Sequence, residues 1–109
     1  MELQIPSIVA AFLAAERSND AHTLAACFSE DGIVHDEARS HRGHSAIQQW
    51  KEDADGRYSY TSEPLVASTE GATVTIRTRV EGSFPGSLVE LSQVFTVADG
   101  KIVSLEIRA

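Results

Sequence analysis

Two hydrophobic periodicities divide the chain near residue 56. Upstream, apolar side chains recur at helical spacing; downstream they alternate with polar ones, the pattern of half-buried strands. Ile5, Ile8, Val9, Phe12 and Leu13 form one stripe, with Ala10, Ala11, Ala14 and Ala15 favouring helix and Pro6 suited to the first turn. Ser18-Asn19-Asp20 interrupts the stripe, and Asp20 can cap a short second helix carrying Leu24, Cys27 and Phe28. Glu30-Asp31-Gly32 reads as a turn before a short strand at 33–36, followed by a polar loop over 37–43. Ser45-Ala46-Ile47-Gln48 matches a capping box and predicts a third helix from about Ser45. Its apolar face is Ile47, Trp50 and Ala54, with Lys51, Glu52 and Asp53 directed to water and Asp55-Gly56 at its end.

The second half reads as strands at 57–68, 73–81, 88–97 and 101–108. Tyr58 and Tyr60 share a face of the first; Val74, Ile76, Thr78 and Val80 share a face of the second. Val89, Leu91, Gln93, Phe95 and Val97 alternate in the third, and Val103, Leu105 and Ile107 point inward from the fourth. Asp99-Gly100 signals a tight hairpin. Helices placed before hairpin-connected strands argue for an α+β fold, an antiparallel sheet with helices on one face. The other face holds Thr73, Thr75, Arg77, Arg79, Glu90, Ser92, Val94, Thr96, Ile102, Ser104 and Glu106. It can be solvated, or it can meet a second copy in a homodimer, the reading preferred here.

Composition narrows the function classes. The 109 residues suit a single domain over 1–109. Nine basic against sixteen acidic residues leave a net charge of −7, which repels nucleic acid and anionic membranes. No apolar run approaches the roughly 20 residues of a membrane span. A single cysteine, Cys27, excludes an internal disulfide framework and suits a cytoplasmic, reducing setting. No cofactor motif is present. His35, His41 and His44 follow no known zinc spacing, so no metal is expected.

The stretches Phe28-Ser29-Glu30-Asp31-Gly32-Ile33-Val34-His35-Asp36 and Arg42-Gly43-His44-Ser45-Ala46-Ile47 resemble the SnoaL-like group of the NTF2-like superfamily. The closing Asp99-Gly100-Lys101-Ile102-Val103-Ser104-Leu105 is similar to that group's last hairpin. The resemblance implies a cone-shaped fold, three N-terminal helices on a curved antiparallel sheet enclosing an apolar cavity. Phe12, Trp50, Tyr58, Tyr60, Val74, Ile76, Phe95 and Leu105 are then the expected pocket lining, suited to a small apolar molecule, the alternative being that the same side chains fill the core.

Asp36 lies two positions past Val34, so on an extended strand both face inward. An ionised carboxylate on an apolar wall is costly unless it is paired or used, and it suits a general base. The resemblance agrees, since Asp36 falls where ketosteroid isomerases carry their proton-shuttling aspartate. Their oxyanion-hole Tyr falls on Phe12, and the partner Asp falls on Ser92 or Gln93, which weighs against steroid-type isomerisation. Gln93 is the candidate donor, and one of His41 or His44 is a candidate partner for Asp36. Arg77 and Arg79 read as outward, leaving no inward arginine for an epoxide-hydrolase-like trio. Two functions follow: an isomerase, cyclase or dehydratase using Asp36 as acid and base, or a non-catalytic ligand-binding or dimerisation module.

Overall fold

The computed structural model describes residues 4–57 and 59–108. Tyr58, expected in the pocket lining, lies outside them. Among the described residues three helices, α1 (Ser7–Arg17), α2 (Ala21–Ala26) and α3 (His44–Arg57), pack on a six-stranded sheet. Its strands are β1 (Phe28–Asp36), β2 (Arg39–Arg42), β3 (Tyr60–Glu70), β4 (Thr73–Gly82), β5 (Val89–Ala98) and β6 (Lys101–Arg108). They are ordered β2-β1-β6-β5-β4-β3, and the sheet is curved and unclosed. The α+β class is as expected. One pairing departs from an all-antiparallel sheet: β1 runs parallel to β6, because the chain between them crosses over through α3 before the meander begins.

Local chemistry explains the element ends. Val9, Phe12, Leu13 and Ala15 are the buried face of α1, with Ile5 and Ile8 packed at its edge. Asp20 accepts from the Thr23 amide at 3.1 Å and caps α2 as anticipated. Phe28 belongs to β1 rather than to α2, and the anticipated turn at Glu30-Asp31-Gly32 is an irregular stretch inside that strand. The polar loop contains β2, joined to β1 by Glu37-Ala38, both with positive φ, the geometry of a two-residue hairpin turn. Neither residue is Gly or Asn, so the turn left no compositional mark.

The capping box at Ser45 does not form. The α3 helix starts one residue earlier, the Ile47 amide bonds to the Gly43 carbonyl, and Gln48 donates to Glu52 along the helix surface. Lys51 is likewise not in water but 2% exposed, one turn from buried Ile47. At the Asp99-Gly100 hairpin both residues have positive φ, as the sequence indicates. The register then slips: Thr96 pairs with Ser104 and Val97 with Ile102, leaving Val103 as a bulged residue. Ile102 is thereby buried and Val103 only half-buried, reversing the expected alternation at this point.

The core sits beneath α1 and α2. Phe12 meets Phe28 and Phe95 edge to face, with ring centroids 6.0 and 5.1 Å apart. Val34, Val74, Ile76 and Leu105 close the space around them.

Candidate functional site

The inner sheet face is filled at one end and open at the other. Phe12, Val74, Ile76, Phe95 and Leu105, expected to line a pocket, are instead buried core. They sit where the helices lie directly on the strands, and their own volume fills that space. Towards the start of β3 and the end of β4, the sheet diverges from α3 and leaves an open-mouthed cleft of about 490 Å³. Trp50, Ala54, Val80, Phe84, Pro85, Val89, Leu91 and Ile107 supply its largely apolar walls. The polar groups along it are Glu16, Asp36, Glu37, Lys51, Tyr60, Ser62 and Gln93.

Asp36 closes β1 at the rim of this cleft. It is half-buried, and its Oδ2 accepts a hydrogen bond from the Trp50 indole Nε1 at 3.0 Å. The indole restricts the carboxylate, whose other oxygen has no hydrogen-bond partner among the described residues. His41, on β2, does not line the cleft. It lies behind Trp50, with ring centroids 6.1 Å apart, and reaches Asp36 only through that indole. The other histidines are used separately: His35 Nδ1 lies 2.9 Å from the Ser40 hydroxyl, and His44 Nε2 lies 2.7 Å from the Phe28 carbonyl oxygen. Among the described residues no three metal-ligating side chains converge.

A second group joins α3 to β3. Lys51 Nζ donates to Asp55 Oδ1 at 2.6 Å and to the Tyr60 hydroxyl at 2.9 Å. Burial works to lower the Lys51 ammonium, but the bonds to Asp55 and Tyr60 outweigh it and hold it above its ordinary range. Burial likewise pushes the Tyr60 phenol up; Lys51 opposes this, while the Glu16 and Asp55 carboxyls add to it. Tyr60 therefore remains a neutral phenol whose oxygen already accepts from Lys51, leaving its O–H to donate.

The third group was only half visible in the sequence. Gln93 is 2% exposed in the apolar row of β5. Its Oε1 accepts from the Thr78 hydroxyl at 3.0 Å, so its Nε2 is turned to Glu16 Oε2 at 3.2 Å. The Gln93 amide is thus held between Thr78 and Glu16. Glu16 was missed. Its signal lay in the helical stripe, where position 16 follows 9, 12 and 13 on the inward face of α1. Burial raises the Glu16 carboxyl above its ordinary range, against the opposing pull of Lys51 and the Gln93 hydrogen bond. Outside the cleft, Arg77 pairs with Glu90 and Arg79 with Glu63 on the exposed face, so neither arginine reaches the site.

A one-sided α+β sheet thus carries an apolar cleft at its open end, edged by carboxyls and a phenol. The chain belongs to the SnoaL-like domain family, whose model matches residues 9–105. The Sinorhizobium meliloti protein SMa1630, a proposed polyketide cyclase, is 39% identical over 95% of each chain, with a TM-score of 0.92. A Catenulispora acidiphila protein of ketosteroid isomerase-like fold, solved with trimethylamine, is 24% identical over 97% of this chain and 87% of that one, at a TM-score of 0.88. TerC, co-crystallised with polyporic acid, is 17% identical over 93% and 87% of the two chains, at a TM-score of 0.82. At those last two identities the likeness concerns the fold alone. A search of curated proteins found no match.

Proposed function

We propose that this protein is an acid–base enzyme acting on a small, largely apolar carbonyl compound, with Asp36 as the general base. The observation that carries the reading is the position of Asp36, whose carboxylate lines an apolar cleft while the Trp50 N–H holds it in place. The cleft volume falls in the range of small-molecule sites. Removing a proton beside a carbonyl is the shared first step of an isomerisation, an aldol-type cyclisation and several dehydrations. The likeness to SMa1630 over nearly the whole chain favours cyclisation among these. Trimethylamine and polyporic acid in proteins of the same fold support a small-molecule ligand. His41 acts at most through Trp50, and Gln93 through Glu16.

The test is solvent exchange of the α-protons of cyclohexanone and 1-tetralone in D2O, followed by proton NMR. The wild-type protein is expected to accelerate exchange over buffer, and Asp36→Asn to abolish the acceleration. Wild-type exchange no faster than buffer, or an unaffected Asp36→Asn variant, overturns the reading.

The alternative, a non-catalytic binding module, is favoured by one observation: Phe12, at the first expected oxyanion position, is sealed in the core and carries no donor, and Gln93, at the second, already donates from Nε2 to Glu16. We further propose a cytoplasmic homodimer through the outer sheet face, where Thr75, Ser92, Val94, Thr96 and Ser104 are only half-exposed without a partner. Sedimentation as an 11.8 kDa species at high concentration would exclude the dimer.

A further inference from the structure

The inner face of a sheet like this one is built from apolar side chains, yet three polar residues on three elements occupy it together. Thr78 on β4 and Gln93 on β5 are 1% and 2% exposed, and Glu16 closes the inward stripe of α1. Their bonds run in one direction. The Thr78 hydroxyl donates to Gln93 Oε1, which orients the amide, and the amide Nε2 donates to Glu16 Oε2. Buried polar groups cost stability unless fully bonded, so an inward relay ending on a carboxyl in a cleft calls for a use. Its second oxygen, Oε1, has no hydrogen-bond partner among the described residues. Because Oε2 accepts from Gln93, a proton on this carboxyl resides on Oε1.

We propose that Glu16 is a second catalytic residue of the cleft, giving a proton to the substrate oxygen while Asp36 takes one from carbon. This rests on the acid–base reading above and specifies its substrate class, a neutral enolisable carbonyl compound. The Asp36 carboxylate removes a proton from the carbon beside the carbonyl. The C–H electron pair becomes the enol double bond, and the carbonyl π pair moves onto oxygen, which takes the Glu16 proton. Asp36 is then protonated and Glu16 ionised. Return of the Asp36 proton to carbon and of the enol proton to Glu16 restores both groups, and no co-reactant is consumed. The Tyr60 O–H can hold the same oxygen during the transfer. Thr78 and Gln93 are positioning residues. The acidic lining of Glu16, Asp36 and Glu37, with Lys51 already held by Asp55, disfavours a substrate bearing its own negative charge.

The experiment is the same exchange assay on the 109-residue chain with Glu16→Gln, which keeps the shape and still accepts from Gln93. The expected result is a loss of about 100-fold or more in the acceleration, the usual contribution of a general acid. The pH profile supplies a readout that a structural role would not move. Wild-type exchange is expected to fall at high pH as Glu16 ionises, and Glu16→Gln is expected to lack that limb. A Glu16→Gln variant with wild-type rate, beside an inactive Asp36→Asn, overturns this inference and leaves the Asp36 reading standing. Retention of the alkaline limb in Glu16→Gln also overturns it. Wild-type exchange no faster than buffer removes both.

Discussion

Replacing Gln93 or Thr78 alone is expected to destabilise the protein, and replacing both is expected to restore most of the loss. Both side chains are almost fully buried, so water cannot take over a lost bond. Thr78→Val leaves Gln93 Oε1 without its donor, and Gln93→Leu leaves the Thr78 hydroxyl without its acceptor. An orphaned buried polar atom costs about 1–3 kcal/mol. The apolar replacement returns part of this, since each methyl-sized group buried is worth about 0.8 kcal/mol. Each single variant should therefore lose about 1–2 kcal/mol, and for a domain of this size each kcal/mol lowers the melting temperature by about 4–8 °C.

The double variant has no orphan between these two positions. Its leucine stands across from Ile76 and Ile107 and its valine across from Leu91, so the pair enters an apolar setting. Glu16 loses its donor but lines a cleft that water reaches. The double variant should fall within about 1 kcal/mol of wild type, a coupling near 2 kcal/mol of the kind neighbouring residues show. Circular dichroism melts of the four proteins measure it. Additive losses, with the double variant melting below both singles, would refute the argument that Thr78 and Gln93 satisfy each other.

Lys51→Met keeps the buried stem but frees Asp55 and Tyr60; urea unfolding should show a loss of about 1–3 kcal/mol, moderated because the Asp55 side chain is 20% exposed and can rehydrate. The Lys51 ammonium is raised in the folded state above its ordinary 10.5, so its contribution is present below that value and lost as pH rises through the folded one, an alkaline loss that Lys51→Met should lack. Glu16 is raised too, so the folded protein binds its proton more tightly than the unfolded chain and loses stability as pH rises from the ordinary 4.5 through the raised value. Glu16→Gln should therefore match wild type near pH 4 and melt higher at neutral pH; equal melting temperatures across that range would contradict the burial of the carboxyl.

What was legible in the sequence followed from strong, regular patterns. The α1 stripe, the Asp20 cap, the alternation in β4 and the Asp99-Gly100 turn each rest on one local rule, and each stands in the structure. Asp36 was legible for a similar reason, since one residue type on one strand face contradicts its neighbours. The rest depended on partners distant in sequence. Lys51 reads as a surface residue until Tyr60 arrives from β3 to accept from its ammonium beside Asp55. Glu16 reads as the polar end of a helix until Gln93, 77 residues away, turns its amide toward it. The bulge at Val103 exchanged the roles of Ile102 and Val103, because no residue type at that point signals an extra position in the strand.

These long-range pairs explain how so short a chain accommodates both a core and a cleft. Close packing near Phe12 consumes the apolar side chains that would otherwise line a deeper pocket, which concentrates stability at one end of the sheet. The open end cannot be held by packing alone, because its apolar walls face the cleft rather than one another. Directional bonds act there instead: Lys51 ties α3 to β3, Trp50 ties α3 to the end of β1, and Gln93 ties β5 to α1. Each bond also orients a side chain that edges the cleft, so the groups that keep it open are those that set its chemistry. A cleft held in this way should tolerate changes to its apolar walls more readily than changes to its polar supports. The expected neutral-pH gain from Glu16→Gln is the counterpart: a carboxyl kept inside the protein lowers stability, and its retention there is understandable if its proton is used.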